Sequence, residues 1–187
     1  MIEWSESQQM IRDAVRKFVE TEIKPRLEER QHGDTPPYDV LRKMIRAFGM
    51  DEMARQRFKH QIEKDRAAET ARASGESALR EEKKPRSDGG DSAAMQIIPI
   101  IELCRFCPGM VTAMGVSMGL TAASVMSKGT IAQKERWALD LLTLEKVGAW
   151  AITEPGSGSD AFGGMKATAR RDGDGYVLNG NKTFITN

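Results

Sequence analysis

Residues 148–160 read GAWAITEPGSGSD, and residues 165–187 read MKATARRDGDGYVLNGNKTFITN. In the first stretch Ala149, Ala151 and Thr153 alternate with Trp150 and Ile152. This is a strand pattern, and Pro155 should end it because proline cannot donate to a ladder. In the second stretch Met165, Ala167 and Ala169 fall on one face, with Lys166, Thr168 and Arg170 on the other. Tyr176-Val177-Leu178, then Asn179-Gly180, then Thr183-Phe184-Ile185-Thr186 predicts a hairpin, because Asn-Gly fits the positive φ angles of a two-residue turn. Asp172-Gly173-Asp174-Gly175 supplies the turn before it. The carboxyl-terminal forty residues are expected to be β-structure.

Gly156-Ser157-Gly158-Ser159-Asp160-Ala161 spells G-x-G-x-x-A, the dinucleotide fingerprint. That motif holds a pyrophosphate only where the loop opens a helix and presents its N-terminus. Here Phe162-Gly163-Gly164 and an alternating strand follow. A nicotinamide site is therefore not expected.

Working toward the amino terminus, Thr130-Ile-Ala-Gln133 is a capping box for a helix carrying Ile131, Trp137, Ala138, Leu141 and Leu142. Phe106 to Ser127 contains no charge and includes a G-x-x-x-G, Gly115 to Gly119. Cys107-Pro108-Gly109 interrupts it near its start, and its Ser, Thr and Gly content lowers the hydropathy. The expected reading is a central, small-faced core helix rather than a membrane span. From Glu63 to Ser92 fifteen of thirty residues are charged, and Leu79 is the one large apolar residue. This predicts a solvated, largely disordered insert over 63–92, part frayed helix and part coil. Pro36-Pro37 opens a helix striped by Val40, Leu41, Met44, Ile45 and Phe48, with Gly49 as its cap. Ser5-Glu-Ser-Gln8 caps a first helix, which Pro25 kinks or ends.

The composition is globular, with 40% hydrophobic and 29% charged residues. A net charge of +1 gives no basic field for nucleic acid. Cys104 and Cys107 form a lone C-x-x-C that lacks the second half of a zinc site, and a buried, reduced helical pair is expected. Met1-Ile2-Glu3-Trp4 has no signal-peptide character. The protein is expected to be cytoplasmic.

The segments Ala151–Asp160 and Tyr176–Asn187 together resemble the acyl-CoA dehydrogenase family. So do the two opening helices and the Gly129-Thr-x-x-Gln-Lys-x-Arg-Trp137 run. The match is good at both ends and poor over 50–92. The resemblance implies an α+β fold, with an all-α N-terminal helical domain over 1–147 and the first strands of a β-barrel-like middle domain over 148–187. It implies an FAD site lined by Trp150, Ala151, Ile152, Thr153, Glu154, Pro155, Gly156, Ser157, Gly158 and Ser159. Thr153 would bond the isoalloxazine, and Ser159 would lie where flavin and CoA approach each other. Phe184 would pack on the ring where relatives often carry Trp, beside Ile185, with the Thr186 hydroxyl near N5. Neutral donors at these places suit a ring that becomes electron-rich on accepting hydride.

The implied reaction converts an acyl-CoA to a trans-2-enoyl-CoA, with an electron-transferring flavoprotein as acceptor and a homo-oligomeric complete enzyme. The base would lie in a C-terminal domain, so Glu154 is not taken for it. Met114, Met118 and Met126 become candidates for the wall of the acyl pocket. Two alternatives stay open: a non-catalytic flavin- or partner-binding remnant, and a sister oxidase on the same fold, such as an acyl-CoA oxidase or nitroalkane oxidase.

Overall fold

The computed structural model describes residues 3–74 and 89–187, with side chains from residue 96 onward in the second block. Helix α1 (Glu6–Phe18) starts on the predicted capping box: Gln8 N donates to Ser5 Oγ at 3.3 Å and Ser5 N to Gln8 Oε1 at 3.0 Å. Ahead of Pro25 the helix widens into a π segment (Val19–Ile23) and then tightens into a 3₁₀ turn (Lys24–Arg26), after which α2 (Leu27–His32) runs on. This is how a helix accommodates a residue with no N–H and a ring that crowds the preceding turn.

Helix α3 (Tyr38–Ala47) buries Val40, Leu41, Met44 and Ile45 against Val15, Val19 and Ile23. Phe18 and Phe48 meet edge to face, 6.0 Å between centroids. The aliphatic side chains, together with Leu103, Met110 and Leu144, make one core. Over it lies a buried carboxylate: Glu102 accepts from Arg16 at 2.9 and 3.0 Å and from Arg105 at 3.0 Å. The Arg16 guanidinium is the main reason the Glu102 pKa lies below its ordinary value.

The charged segment departs from expectation. Helix α4 spans Met50–Ala73, so residues 63–73 are the helical part of the predicted insert, docked rather than frayed. Its sequence is rich in good helix formers, and it is docked by Ile62, which is 5% exposed. Asp65 receives Lys134 Nζ at 2.7 Å, and Arg66 reaches Glu135 at 2.6 Å. Tertiary ion pairs from a distant helix are invisible to a composition argument. Residues 75–88 of the predicted insert lie outside the described residues.

Helix α5 (Gly89–Cys104) ends at a turn, and α6 (Pro108–Met114) begins after it. The C-x-x-C therefore straddles a corner, which leaves Cys104 exposed and Cys107 half-buried as free thiols instead of the expected buried pair. The central helix continues through a π segment (Gly115–Thr121) and α7 (Ala122–Lys128). By length and composition Pro108–Lys128 could cross a bilayer. In the fold it buries Met110, Ala113, Ser117 and Ala122 among the other helices. Helix α8 (Ile131–Gln133) opens on the predicted Thr130 box and leads through a π segment (Lys134–Ala138) into α9 (Leu139–Leu142).

The β-structure differs from the prediction in which segments pair. Strand β1 (Thr168–Asp172) pairs antiparallel with β2 (Gly175–Asn179), from Thr168 opposite Asn179 to Asp172 opposite Gly175. The loop is Gly173-Asp174, with glycine carrying the positive φ of 59°. Asn179-Gly180 does not close a hairpin onto Thr183–Thr186. Gly180 instead packs on Ala167 so tightly that a Cβ there would stand 2.5 Å from the Ala167 Cβ, and Phe184 has φ 54°, which breaks an extended ladder. Residues 149–153, also predicted as a strand, are not part of a sheet, and Ile152 N donates to the Trp150 carbonyl at 3.0 Å in a tight local turn. The molecule is mostly helical with one small antiparallel sheet, an α+β arrangement.

Candidate functional site

The two segments that the family resemblance assigns to a flavin lie side by side. Thr183 N donates to the Thr153 carbonyl at 3.1 Å, and Asn187 Nδ2 donates to the Gly148 carbonyl at 2.9 Å. Pinned at both ends, 148–153 and 183–187 run in opposite directions along one another.

Gly148 anchors the pair to the helical core. Its N–H donates to the buried Ser117 Oγ at 3.0 Å. A Cβ at Gly148 would stand 2.7 Å from Thr121 Cγ2 and 2.9 Å from Leu141 Cδ2, so glycine alone fits so close to the helix. Thr121 lies in the π segment, and its hydroxyl donates back to the Val116 carbonyl at 3.0 Å.

Glu154 is a clamp. It is 7% exposed and accepts from Lys166 N at 2.7 Å, Ala167 N at 2.9 Å and Lys182 Nζ at 3.0 Å. Lys182 also donates to the Ile152 carbonyl at 3.1 Å. The Lys166 amide first, then the Lys182 ammonium and the Ala167 amide, lower the Glu154 pKa from 4.5 to about 2. The carboxylate is ionised and locally neutralised. It fixes where the chain turns toward β1.

The glycine-rich loop folds on itself. Glu154 and Ser157 exchange backbone hydrogen bonds of 3.0 Å each, and the buried Ser157 Oγ donates to the Asp160 carbonyl at 2.7 Å. Pro155, Gly156, Gly158 and Ser159 are exposed. One helical turn does follow (α10, Ala161–Gly164), where the sequence predicted none. A single turn carries little of the aligned dipole that a pyrophosphate site uses, so the dinucleotide reading gains nothing from it.

Of the remaining candidates, Ile152, Thr153, Ile185 and Thr186 are half-buried, and Ala151 is exposed. Trp150 is 41% and Phe184 93% exposed, giving two uncovered aromatic surfaces on the paired segments. Met114 and Met118 pack on the core, while Met118 and Met126 line an open apolar cleft of about 390 Å³ with Met50, Met53, Phe58 and Leu142. Among the described residues no group of three or more His, Cys, Asp or Glu is placed to hold a metal.

Sequence reasoning missed Lys182, Asn187 and Ser117. Each acts through a partner 28 or more positions away, and no spacing rule reaches that far. The Gly148 requirement was equally hidden, since its reason is a neighbouring helix.

The chain matches the models for the acyl-CoA dehydrogenase N-terminal domain over residues 5–54 and 35–145, and for the acyl-CoA dehydrogenase middle domain over 149–187. It is 29% identical over 180 residues to the short-chain specific acyl-CoA dehydrogenase of Clostridium acetobutylicum, covering 96% of this chain and 40% of that protein. It is 30% identical over 190 residues to a 3-(aryl)acrylate reductase of Clostridium sporogenes, covering 98% and 41%. A solved acyl-CoA dehydrogenase from Bacillus anthracis, complexed with FAD, has TM-score 0.55 at 28% identity, covering 98% of this chain and 27% of that one. The chain thus spans about 40% of the length of the two curated relatives. With both domain models matched in order along it, the chain belongs to the acyl-CoA dehydrogenase family.

Proposed function

We propose that residues 150–159 and 183–186 hold FAD, and that the complete protein oxidises an acyl-CoA thioester across Cα–Cβ to a trans-2-enoyl-CoA. The observation that carries this reading is the side-by-side pinning of 148–153 on 183–187. A flat ring needs uncovered aromatic surface and uncharged donors, and the paired segments offer Trp150 and Phe184 with Thr153 and Thr186. The negative charge of Glu154 is offset by the Lys182 ammonium, and two backbone amides occupy its oxygens. FAD, when bound, supplies the hydride acceptor.

The residues of this chain orient and exclude. Thr153 and Thr186 are assigned as donors to the ring, Phe184 and Trp150 as its apolar walls, and Ser159 as the contact toward CoA. The α-proton goes to a carboxylate other than Glu154, whose pKa of about 2 and three donors make it a poor base. The apolar side chains of β2, with Tyr176 at 68% and Leu178 at 76% exposed, call for cover that a larger assembly would provide. A homo-oligomeric enzyme handing electrons to an electron-transferring flavoprotein is part of the same proposal.

Anaerobic addition of butyryl-CoA to the FAD-loaded complete protein should bleach the flavin absorption. An unchanged spectrum across short- and medium-chain acyl-CoAs would reject the proposal. The similarity to an acrylate reductase supports a second reading, in which the same site runs toward reduction of a conjugated double bond. Reoxidation of the reduced flavin by an enoyl substrate would favour it.

A further inference from the structure

We propose that Asn187 is a positioning residue for the flavin-facing segment, acting as a three-way tie between the helical body and the two paired segments. Its amide joins three elements at once. Nδ2 donates to the Ala113 carbonyl on the central helix at 3.0 Å and to the Gly148 carbonyl at 2.9 Å. Oδ1 accepts from the Tyr38 hydroxyl on α3 at 2.8 Å. The two carbonyls fix which end of the amide is which, since a carbonyl can only accept and so must face the N–H₂, which leaves Oδ1 to the phenol. Two carbonyls converge on the other end, a demand that only a neutral double donor satisfies.

The position of the tie gives it a function. Asn187 adjoins Thr186 and lies three residues from Phe184, the two side chains assigned above to the ring. Its backbone is left-handed, φ 75°, as is that of Phe184, φ 54°. Asparagine tolerates this region better than most residues. Without the tie, 183–187 would be held to 148–153 by the Thr183–Thr153 bond, and Thr186 would be free to swing. The effect of the tie on flavin rests on the function proposed above.

The test uses the complete protein with N187A, N187D and Y38F. FAD affinity and the visible spectrum of the bound flavin are measured from pH 5 to 8, and amide exchange at residues 183–187 is followed in the flavin-free protein. N187A removes both donor bonds, so FAD binding should weaken roughly tenfold, with a shifted flavin band. N187D points a charged oxygen at two carbonyls and should be worse at pH 8. It should recover relative to wild type toward pH 5, as its carboxyl regains a proton to donate, whereas N187A should not. Y38F should fall between wild type and N187A.

A merely structural role predicts lower unfolding temperatures with an unshifted flavin band and no pH recovery in N187D, and that result overturns the proposal. Wild-type exchange at 183–187 in N187A would remove the tie itself, whatever the flavin result. A wild-type protein that binds no FAD, with exchange accelerated in N187A, would sink the flavin reading and the positioning role while leaving the tie.

Discussion

Lys182 Nζ lies 3.0 Å from Glu154 Oε1 and 3.1 Å from the Ile152 carbonyl, so one ammonium ties its own segment to two positions of another, 28 and 30 residues away in sequence. The same carboxylate draws in the Lys166 and Ala167 amides. An acid that the motif places in the candidate site therefore has a structural task, and its chemistry follows from that.

The Glu154 pKa is about 2 in the fold against an ordinary 4.5. Because the folded value is the lower one, the ionised clamp stabilises the protein fully above the ordinary pKa. That contribution fades as pH falls toward 2. Glu154→Gln should lower the urea midpoint at pH 7, and the gap to wild type should narrow steadily between pH 5 and 2. A gap that is constant over that range would show that Glu154 is not clamped as a carboxylate.

Gly148→Ala should destabilise by about 1–3 kcal/mol, the range for overpacking. The new methyl would meet the Thr121 and Leu141 side chains at under 3 Å. Thr121→Ser removes the nearest of these atoms, Thr121 Cγ2, and the double variant should recover part of the loss. Additive losses in urea denaturation would place the strain elsewhere.

Leu144 tests burial against backbone preference. It has φ 56° yet is 0% exposed, and its carbonyl accepts from Arg42 Nε at 2.6 Å. Glycine would relieve roughly 1 kcal/mol of left-handed strain. Deleting the buried side chain costs about 3 kcal/mol. Leu144→Gly should therefore be destabilising by about 2 kcal/mol, and a neutral or stabilising result would contradict the packing described.

The Arg16–Glu102 pair is asymmetric: the guanidinium side chain is 38% exposed and the carboxylate 3%. Arg16→Ala leaves a buried charge with Arg105 as its remaining ionic partner and should cost about 2 kcal/mol. Glu102→Gln leaves arginines that water can reach and should cost less. The reverse order in thermal unfolding would refute this account.

What was legible in the sequence was local. Both capping boxes, at Ser5 and Thr130, were read from four residues each, because their hydrogen bonds close within those four. The stripe Val40, Leu41, Met44 and Ile45 was legible for the same reason. The pairing of β1 with β2 was misread. Asn179-Gly180 has the better hairpin spelling, but Gly180 is pressed against Ala167 and the chain turns away to lie along 148–153. Part of 63–92 was expected as frayed helix, and the docking of 63–73 was not legible because its partners Lys134 and Glu135 come from a distant helix. The candidate site followed suit: its segments were recognisable, while the residues that bring them together were not.

The central claim is that 150–159 and 183–186 form one cradle for FAD, and titration of the complete apoprotein with FAD, followed in the visible, tests it most directly. The account predicts a flavin spectrum perturbed from that of free FAD, with affinity lowered in both Thr153→Ala and Phe184→Ala. A spectrum identical to free FAD, or variants in only one segment affecting binding, would contradict it.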